Sequence, residues 1–504
     1  MRVRNLVLTG ALLAGAASLL PAAAPGAAAQ AVPAPRDAAD DALPSAVEAQ
    51  AVTTHRIAIG GKTLAYKAIA GTLTLRDDAG KPKASMFYVA YVRDPLDPRR
   101  PLTFFYNGGP GSSSLWLHMA SFGPRRVMLN TPNPAAGAPS RLVDNEATLL
   151  PESDLVFLDA IHTGFSRPLG ESGADAFLSA DADIDIFTRG IERFLTVQNR
   201  WNAPVYLLGE SYGTSRSAGV ANLLQKHGVQ LSGVIQLGTI LDIARELTHG
   251  DRSFMTAVPT LAATAAYHGV THPPGDRDAY LREVAAWVEG PYSQALAKGN
   301  TIGDDEKQAI ARQLAAYIGL DPAFVLRENL RISHAAFRRE LLRPSGKIVG
   351  EIDTRFSAAV GTAGNDASLD PSWTGIFRPM VSLWNDYVRN ELKFDTGPSY
   401  RRAYSGAFEK FDFRRGNGAG WGNYGKDLAE AMIENPKLKI LSINGLYDLS
   451  TVYYGADYDY RHLAIPPALR GNIAYLYYPS GHMLYIDDQV RRDMVRDIRP
   501  FYAQ

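Results

Sequence analysis

The sequence predicts an α/β fold: a mainly parallel central sheet, an antiparallel N-terminal entry and a large helical insertion over the strand ends. Three observations predict it. Between residues 154 and 238, short and nearly continuous apolar runs alternate with helical patterns, and a β-α-β order builds parallel sheets with helices on both faces. Upstream, from His55 to Tyr106, strand-like runs are separated only by turn residues, as in an antiparallel meander. Between about 241 and 427 the sheet-like runs stop and helical stretches replace them.

Size and composition bound the function. At about 150 residues per domain, 504 residues allow roughly three domains, or one large domain with an inserted cap. Apolar residues at 46% and charged residues at 21% are globular values, which excludes a disordered or collagen-like chain. Lys plus Arg and Asp plus Glu each total 52, so there is no basic surplus with which to neutralise nucleic-acid phosphates. Cysteine is absent. With it go disulfides, zinc–thiolate sites, iron–sulfur clusters, a cysteine nucleophile and a lipoprotein anchor.

Taken in order, residues 1–29 read as a secretory signal peptide. Arg2 and Arg4 form a positive start, Leu6 to Leu20 is an uncharged apolar run, and Ala27-Ala28-Ala29 is a small-residue cleavage site before Gln30. The run is too short for a membrane span, and no later stretch is long enough for one, so no stable membrane anchor is expected after cleavage. Export without cysteines suits a bacterial periplasm or exterior. Residues 30–52 are rich in Ala, Pro and Asp and hold no aromatic residue, and we read them as a disordered leader. The first part of the core, 53–240, opens with the strands TLAYKAIAGTLTL, KASMFYVAYV and PLTFFYN. DLVFLDA and PVYLLGE follow as buried strands. Between them Ser179 caps a helix with Ile184, Phe187, Ile191, Phe194 and Leu195 on one face. SGVIQLG is the next strand. Residues 241–427 form the helical cap, and 428–504 complete the core with LKILSING and NIAYLYYP.

Three patterns imitate ligand sites. Asp181, Asp183, Asp185 and Glu192 have EF-hand spacing, but Ile186 stands where the turn needs glycine, and aspartates also suit a helix start. His268 and His272 are four apart, but Gly-Val-Thr between them and Pro-Pro after them spoil a metal-binding helix. RRGNGAGWGNYG, residues 414–425, follows no strand and lacks a phosphate-loop lysine, so it reads as a flexible connection from lid to core. No metal and no cofactor is expected.

The chemistry lies in Gly209-Glu210-Ser211-Tyr212-Gly213, a G-x-S-x-G set between the strand PVYLL and a helical stretch. A sharp strand-to-helix turn of this kind exposes a serine nucleophile and needs glycine on either side. Serine is a weak nucleophile at its free pKa, so it needs a histidine base and an orienting carboxylate. In an α/β-hydrolase fold these follow in the order Ser, Asp, His, each beyond a strand end. Asp448 after LKILSING and His482 after NIAYLYYP satisfy that order, whereas Asp457 and Asp459 lie farther from the strand. An oxyanion hole needs two aimed backbone amides. Tyr212 supplies one, and the loop Asn107-Gly108-Gly109-Pro110-Gly111 after LTFFY supplies the other.

FFYNGGPGSSS, VFLDAIHTGFS, LLGESYG, SINGLYDLSTVYYG and YPSGHMLY, in this order within residues 102–486, resemble the landmark motifs of the serine carboxypeptidase family. The antiparallel entry and the inserted lid match that family's layout. The resemblance implies Ser211, Asp448 and His482 as the catalytic triad, with the Gly109 and Tyr212 amides as the oxyanion hole. It also implies that Asn107 and Glu210 bind the free C-terminal carboxylate of a peptide. The chain departs from the family in having Ser112 where a cysteine is usual, and Ser121 where many members have a glutamate. Ala160, Ile161 and His162 also replace the usual proline and first glycine of their motif. The expected function is a secreted serine carboxypeptidase acting on peptide C-termini. One alternative is an esterase or acyltransferase with the same triad; another is a catalytically inert binding protein.

Overall fold

The computed structural model describes residues 45–129, 141–170, 172–248, 250–360, 370–395 and 397–503. The expected signal peptide lies outside these residues, as does the expected leader up to residue 44. The end of that leader is corrected. A first strand, β1 (Gln50–Ile59), begins inside it because pairing with the next strand satisfies its backbone. Even Ala49 takes part, its carbonyl accepting the Thr72 amide at 2.9 Å.

Eight further strands build the main sheet: β2 (Lys62–Arg76), β3 (Pro82–Arg93), β4 (Leu102–Tyr106), β5 (Asp154–Leu158), β6 (Val205–Glu210), β7 (Leu231–Leu237), β8 (Lys439–Gly445) and β9 (Ile473–Tyr478). Their spatial order is β1-β2-β3-β5-β4-β6-β7-β8-β9. The first three pair antiparallel with each other, and β3 pairs antiparallel with β5. Every later pairing along this order is parallel, and a short tenth strand, Arg167–Pro168, pairs antiparallel with β3 off the main path. This is the expected arrangement, an α/β-hydrolase sheet with an antiparallel entry. Strands β4 to β7 are almost wholly apolar because both their faces are covered.

Side-chain alternation divides the core into two. Phe104, Tyr106, Val156, Leu207 and Val234 point to one face, beneath α2 (Ala180–Val197) and α3 (Tyr212–Lys226). Ser179 caps α2 as expected, accepting the Ala182 amide at 3.3 Å. Phe105, Phe157, Leu208, Ile235 and Ile443 point to the opposite face.

The insertion does two jobs. Helices α4 (Asp251–Tyr267), α5 (Arg277–Trp287) and α6 (Asp304–Ile318) form a third apolar cluster. It closes on Leu446, Tyr447, Leu449 and Val452, the segment immediately after β8. Helix α7 (Pro371–Asp386), by contrast, leaves the cap. Its Ile376, Met380 and Trp384 form a stripe four residues apart that is buried in the second core. Helix α8 (Gly425–Glu434) returns the chain to the first core through Leu428 and Met432, and α9 (Tyr453–Arg461) and α10 (Asp488–Ile498) follow.

The patterns that imitate ligand sites hold the fold together. Asp181 pairs with Arg415, Asp183 with Arg216 and Asp185 with Arg189. His268 bonds the Thr354 carbonyl at 2.7 Å. The glycine-rich connection contains a small antiparallel pair, Arg414–Arg415 with Gly420–Trp421, and Arg415 ties it to Asp427 at 2.8 Å.

Candidate active site

Strand β6 ends at Glu210 and α3 begins at Tyr212, so Ser211 alone makes the turn between them. Its backbone has φ 60° and ψ −131°. A non-glycine residue held there costs of order 1–3 kcal/mol, which the surroundings must enforce. They do. The Ser211 amide donates to the Leu237 carbonyl at 2.9 Å, and its carbonyl accepts from the Thr214 amide and hydroxyl at 2.8 and 2.7 Å. A Cβ on Gly209 would run into the Gly213 carbonyl, and one on Gly213 would sit 2.9 Å from the Tyr106 carbonyl oxygen. Glycine on both sides of the serine is therefore a packing requirement. The Ser211 side chain caps no α3 amide, so the helix does not sequester its hydroxyl.

Asp448 and His482 follow β8 and β9 and meet in the interior. His482 Nδ1 lies 2.8 Å from Asp448 Oδ2. The carboxylate is fully buried and is held from every side: Oδ1 accepts the Ser450 and Thr451 amides at 2.7 and 2.9 Å, and Oδ2 accepts the Thr451 hydroxyl at 2.7 Å. The imidazole packs on Gly238, where a Cβ would lie 3.1 Å from Nδ1. Gly238 directly follows Leu237, whose carbonyl accepts the Ser211 amide, so Ser211 and the imidazole border neighbouring residues of one segment. Burial pulls the imidazole pKa down, but the Asp448 carboxylate, with Glu210 and Glu351, outweighs it and raises the pKa to about 9. The His482 amide donates to the Ile352 carbonyl at 2.6 Å, and the Gly481 amide to Asp353 at 3.2 Å. The insertion thus fixes the histidine loop. The competing aspartates are engaged elsewhere, Asp459 by Arg245 and Asp457 by the Tyr477 hydroxyl.

The Asn107–Gly111 loop crosses the start of α3. A Cβ on Gly108 would lie 2.5 Å from the Tyr212 amide nitrogen, so the two backbones touch. Among the described residues, neither the Gly109 nor the Tyr212 amide has a backbone acceptor. A buried cation braces this contact. Arg216, which is fully buried, binds both Asp183 oxygens at 2.7 and 3.1 Å and donates from Nη1 to the Asn107 carbonyl at 2.7 Å. From the insertion, the Arg402 carbonyl accepts the Ser113 amide at 3.0 Å and the Tyr404 amide donates to the Gly111 carbonyl at 2.8 Å. Ser112, in the cysteine position, accepts the Trp116 indole N–H at 3.0 Å.

Glu210 is 2% exposed and sits beside the serine. Asn107 Nδ2 donates to its Oε2, and the Tyr485 hydroxyl lies 3.0 Å from Oε1 and 2.8 Å from Oε2. Burial pushes this carboxyl up to about 7, against the opposing influence of His482 and the Tyr485 hydrogen bond. Ser121 is not part of the cluster; its hydroxyl donates to the Leu117 carbonyl within the helix α1 region (Leu115–Ala120). Of the residues expected at the site, Asp448 bonds His482, Asn107 bonds Glu210, and the loop that holds Gly109 packs through Gly108 on Tyr212, next to Ser211. Thr451, Tyr485, Asp353 and the Asp183–Arg216 pair were not expected. Their only sequence signal is proximity: Thr451 and Tyr485 each lie three residues beyond a residue already singled out.

Residues 61–241 match the family described as serine carboxypeptidase. No curated protein sequence matches. Among solved structures, the prohormone-processing carboxypeptidase Kex1 of Saccharomyces cerevisiae is similar at 16% identity and TM-score 0.54, over 86% of this chain and 91% of that one. Likeness at that identity is a likeness of fold. A putative aryl esterase from Burkholderia cenocepacia and the proline iminopeptidase of Mycobacterium smegmatis also match. They do so at 11% and 12% identity, with TM-scores of 0.36 and 0.33, over 86% and 90% of this chain and 100% and 99% of theirs. The family match runs through Asn107, the glycine loop, Glu210 and Ser211, so residues 61–241 of this chain are similar to the serine carboxypeptidase family.

Proposed function

We propose that this protein is an exported carboxypeptidase that removes C-terminal residues from peptides through a Ser211–His482–Asp448 acyl-enzyme mechanism. Ser211 Oγ attacks the last peptide carbonyl while His482 Nε2 takes its proton, and Asp448 holds Nδ1–H so that Nε2 is the accepting nitrogen. Negative charge gathers on the carbonyl oxygen, where the Gly109 and Tyr212 amides receive it. The C–N bond breaks as His482 returns the proton to the leaving amine, and water activated by the same imidazole releases the acyl group.

One observation carries the exopeptidase part: a buried carboxyl, Glu210, beside the nucleophile, held by Asn107 and poised to be protonated near neutral pH. Two carboxylates in contact share a proton, so a protonated Glu210 favours a substrate with a free C-terminal carboxylate. The test is cleavage of matched peptides with free and amidated C-termini, with products weighed. Preference for the free acid is expected. Equal cleavage of both would favour the esterase or acyltransferase alternative, for which the replacement of a second carboxyl by Ser121 is the supporting feature. Export rests on the sequence of residues 1–29. Among the described residues no helix is long and apolar enough to cross a membrane, and a mature chain beginning at Gln30 is the expected result of N-terminal sequencing.

A further inference from the structure

We infer that Tyr485 is a positioning residue of the carboxylate-reading site, its buried hydroxyl orienting Glu210 so that the proton on Oε1 faces a peptide's free C-terminus. The inference rests on the carboxypeptidase proposal and extends it to a residue outside the seven expected at the site. Tyr485 lies in a short 3-10 turn, Leu484–Ile486, three residues after His482. One loop therefore carries both the general base and the partner of Glu210.

The hydrogen-bond inventory assigns the proton. Asn107 Oδ1 accepts the Leu117 amide at 3.1 Å, which turns its Nδ2 toward Glu210 Oε2. Tyr485 reaches the same Oε2 at 2.8 Å and Oε1 at 3.0 Å. The phenol has one hydrogen and lies nearer Oε2, which therefore takes both donors, so a proton on Glu210 is best placed on Oε1, where it can be donated onward. The phenol remains a donor throughout, because burial and the Glu210 charge hold its pKa well above 10.

The same contact tunes Glu210. Four groups face this carboxyl: His482, Tyr485 and Asn107 favour its charged form, while Asp448 opposes it. Removing the phenolic hydroxyl removes one influence that favours charge. Glu210 then keeps its proton to higher pH but loses its orientation.

The experiment measures KM against pH for matched acid and amide peptides in wild type and Tyr485→Phe. We expect two changes in the variant. At acid pH the ratio of acid to amide KM should rise about tenfold, the scale of one hydrogen bond to an ionisable group. The pH at which acid binding weakens should also move upward. A substitution that merely loosened the fold would raise both KM values together and move neither quantity. If Tyr485→Phe folds poorly, 3-fluorotyrosine introduced at position 485 keeps the shape. As a stronger donor it should move the midpoint downward, opposite to phenylalanine. Wild type that treats acid and amide alike overturns the carboxypeptidase proposal itself. Wild type that discriminates, with a variant of unchanged ratio and midpoint, overturns the role of Tyr485 alone.

Discussion

The site divides into halves built in different ways. Around Ser211 the structure relies on the main chain: a serine at φ 60°, a Gly108 that lets two backbones touch, and amides left open at a helix start. Around Glu210 it relies on side chains: a buried carboxyl, an amide and a phenol joined by hydrogen bonds. In the proposed function the first half stabilises charge that develops in any acyl transfer, and the second recognises charge that only some substrates carry. Damage to the first should slow every substrate, whereas damage to the second should change the ranking of substrates.

The largest expected effect breaks the first half outright. Ser211→Ala should lower kcat by about 10⁴-fold or more for acids, amides and esters alike, because nucleophile and base act as one unit. A fluorophosphonate should label wild type at Ser211 and leave the variant unlabelled. Retained peptidase activity in the alanine protein would remove the mechanism. Gly108→Ala comes next. Its methyl group would meet the Tyr212 amide nitrogen at 2.5 Å, displacing one donor of the proposed oxyanion hole. A loss of about 10²–10³ in kcat is expected, equal for acid and amide substrates. An unequal loss would mean that the two halves are not separable.

Arg216 sharpens the comparison because it serves both halves. It holds the carbonyl of Asn107, whose side chain binds Glu210 and whose next residue packs on Tyr212. Arg216→Met would leave Asp183 buried without its cation, so urea unfolding should show a loss of about 3–5 kcal/mol. Both kcat and the acid-to-amide ratio should change in the folded fraction. A stable variant with an unaltered ratio would show that the brace is not shared.

The two halves also differed in how much of them could be read before folding. Period and punctuation placed the strands β4 to β9, and the glycines around Ser211 reported their own crowding. Asp448 and His482 were legible because strand ends in this fold deliver residues to one edge of the sheet. Tyr485 was not legible. A tyrosine in HMLY looks like core, and its partner lies 275 residues earlier in the chain. Asp183 was weighed only as a helix-start or calcium aspartate, since nothing local pairs it with an arginine 33 residues onward. The stripe of α7 was hidden for another reason. Its periodicity says that one face is buried but not whether that face meets the cap or the sheet. The strand β1 was missed because its exposed, alternating residues gain stability from pairing rather than from burial.

The smallest expected effect is a displacement of pH profiles, and it separates the halves most cleanly. In the proposed mechanism His482 must be neutral to accept the serine proton, and its neighbours raise its pKa to about 9. For a C-terminal amide or ester, kcat/KM should therefore climb as pH rises through that titration. For a free acid a second group intervenes. Glu210 loses its proton as pH passes about 7, and from there its charge repels the substrate carboxylate. The acid profile should accordingly peak below the amide profile, by on the order of one pH unit when both groups titrate as a coupled pair. Glu210→Gln removes the repulsion, so the acid profile should move onto the amide profile. It also removes a negative neighbour that raises His482, so the rising limb of the amide profile should shift to lower pH. Both displacements come from one substitution, yet only the first involves the substrate's C-terminus. Coincident acid and amide profiles in wild type would mean that Glu210 recognises no carboxylate. An amide limb that does not move in Glu210→Gln would mean that Glu210 and His482 titrate independently despite their shared burial.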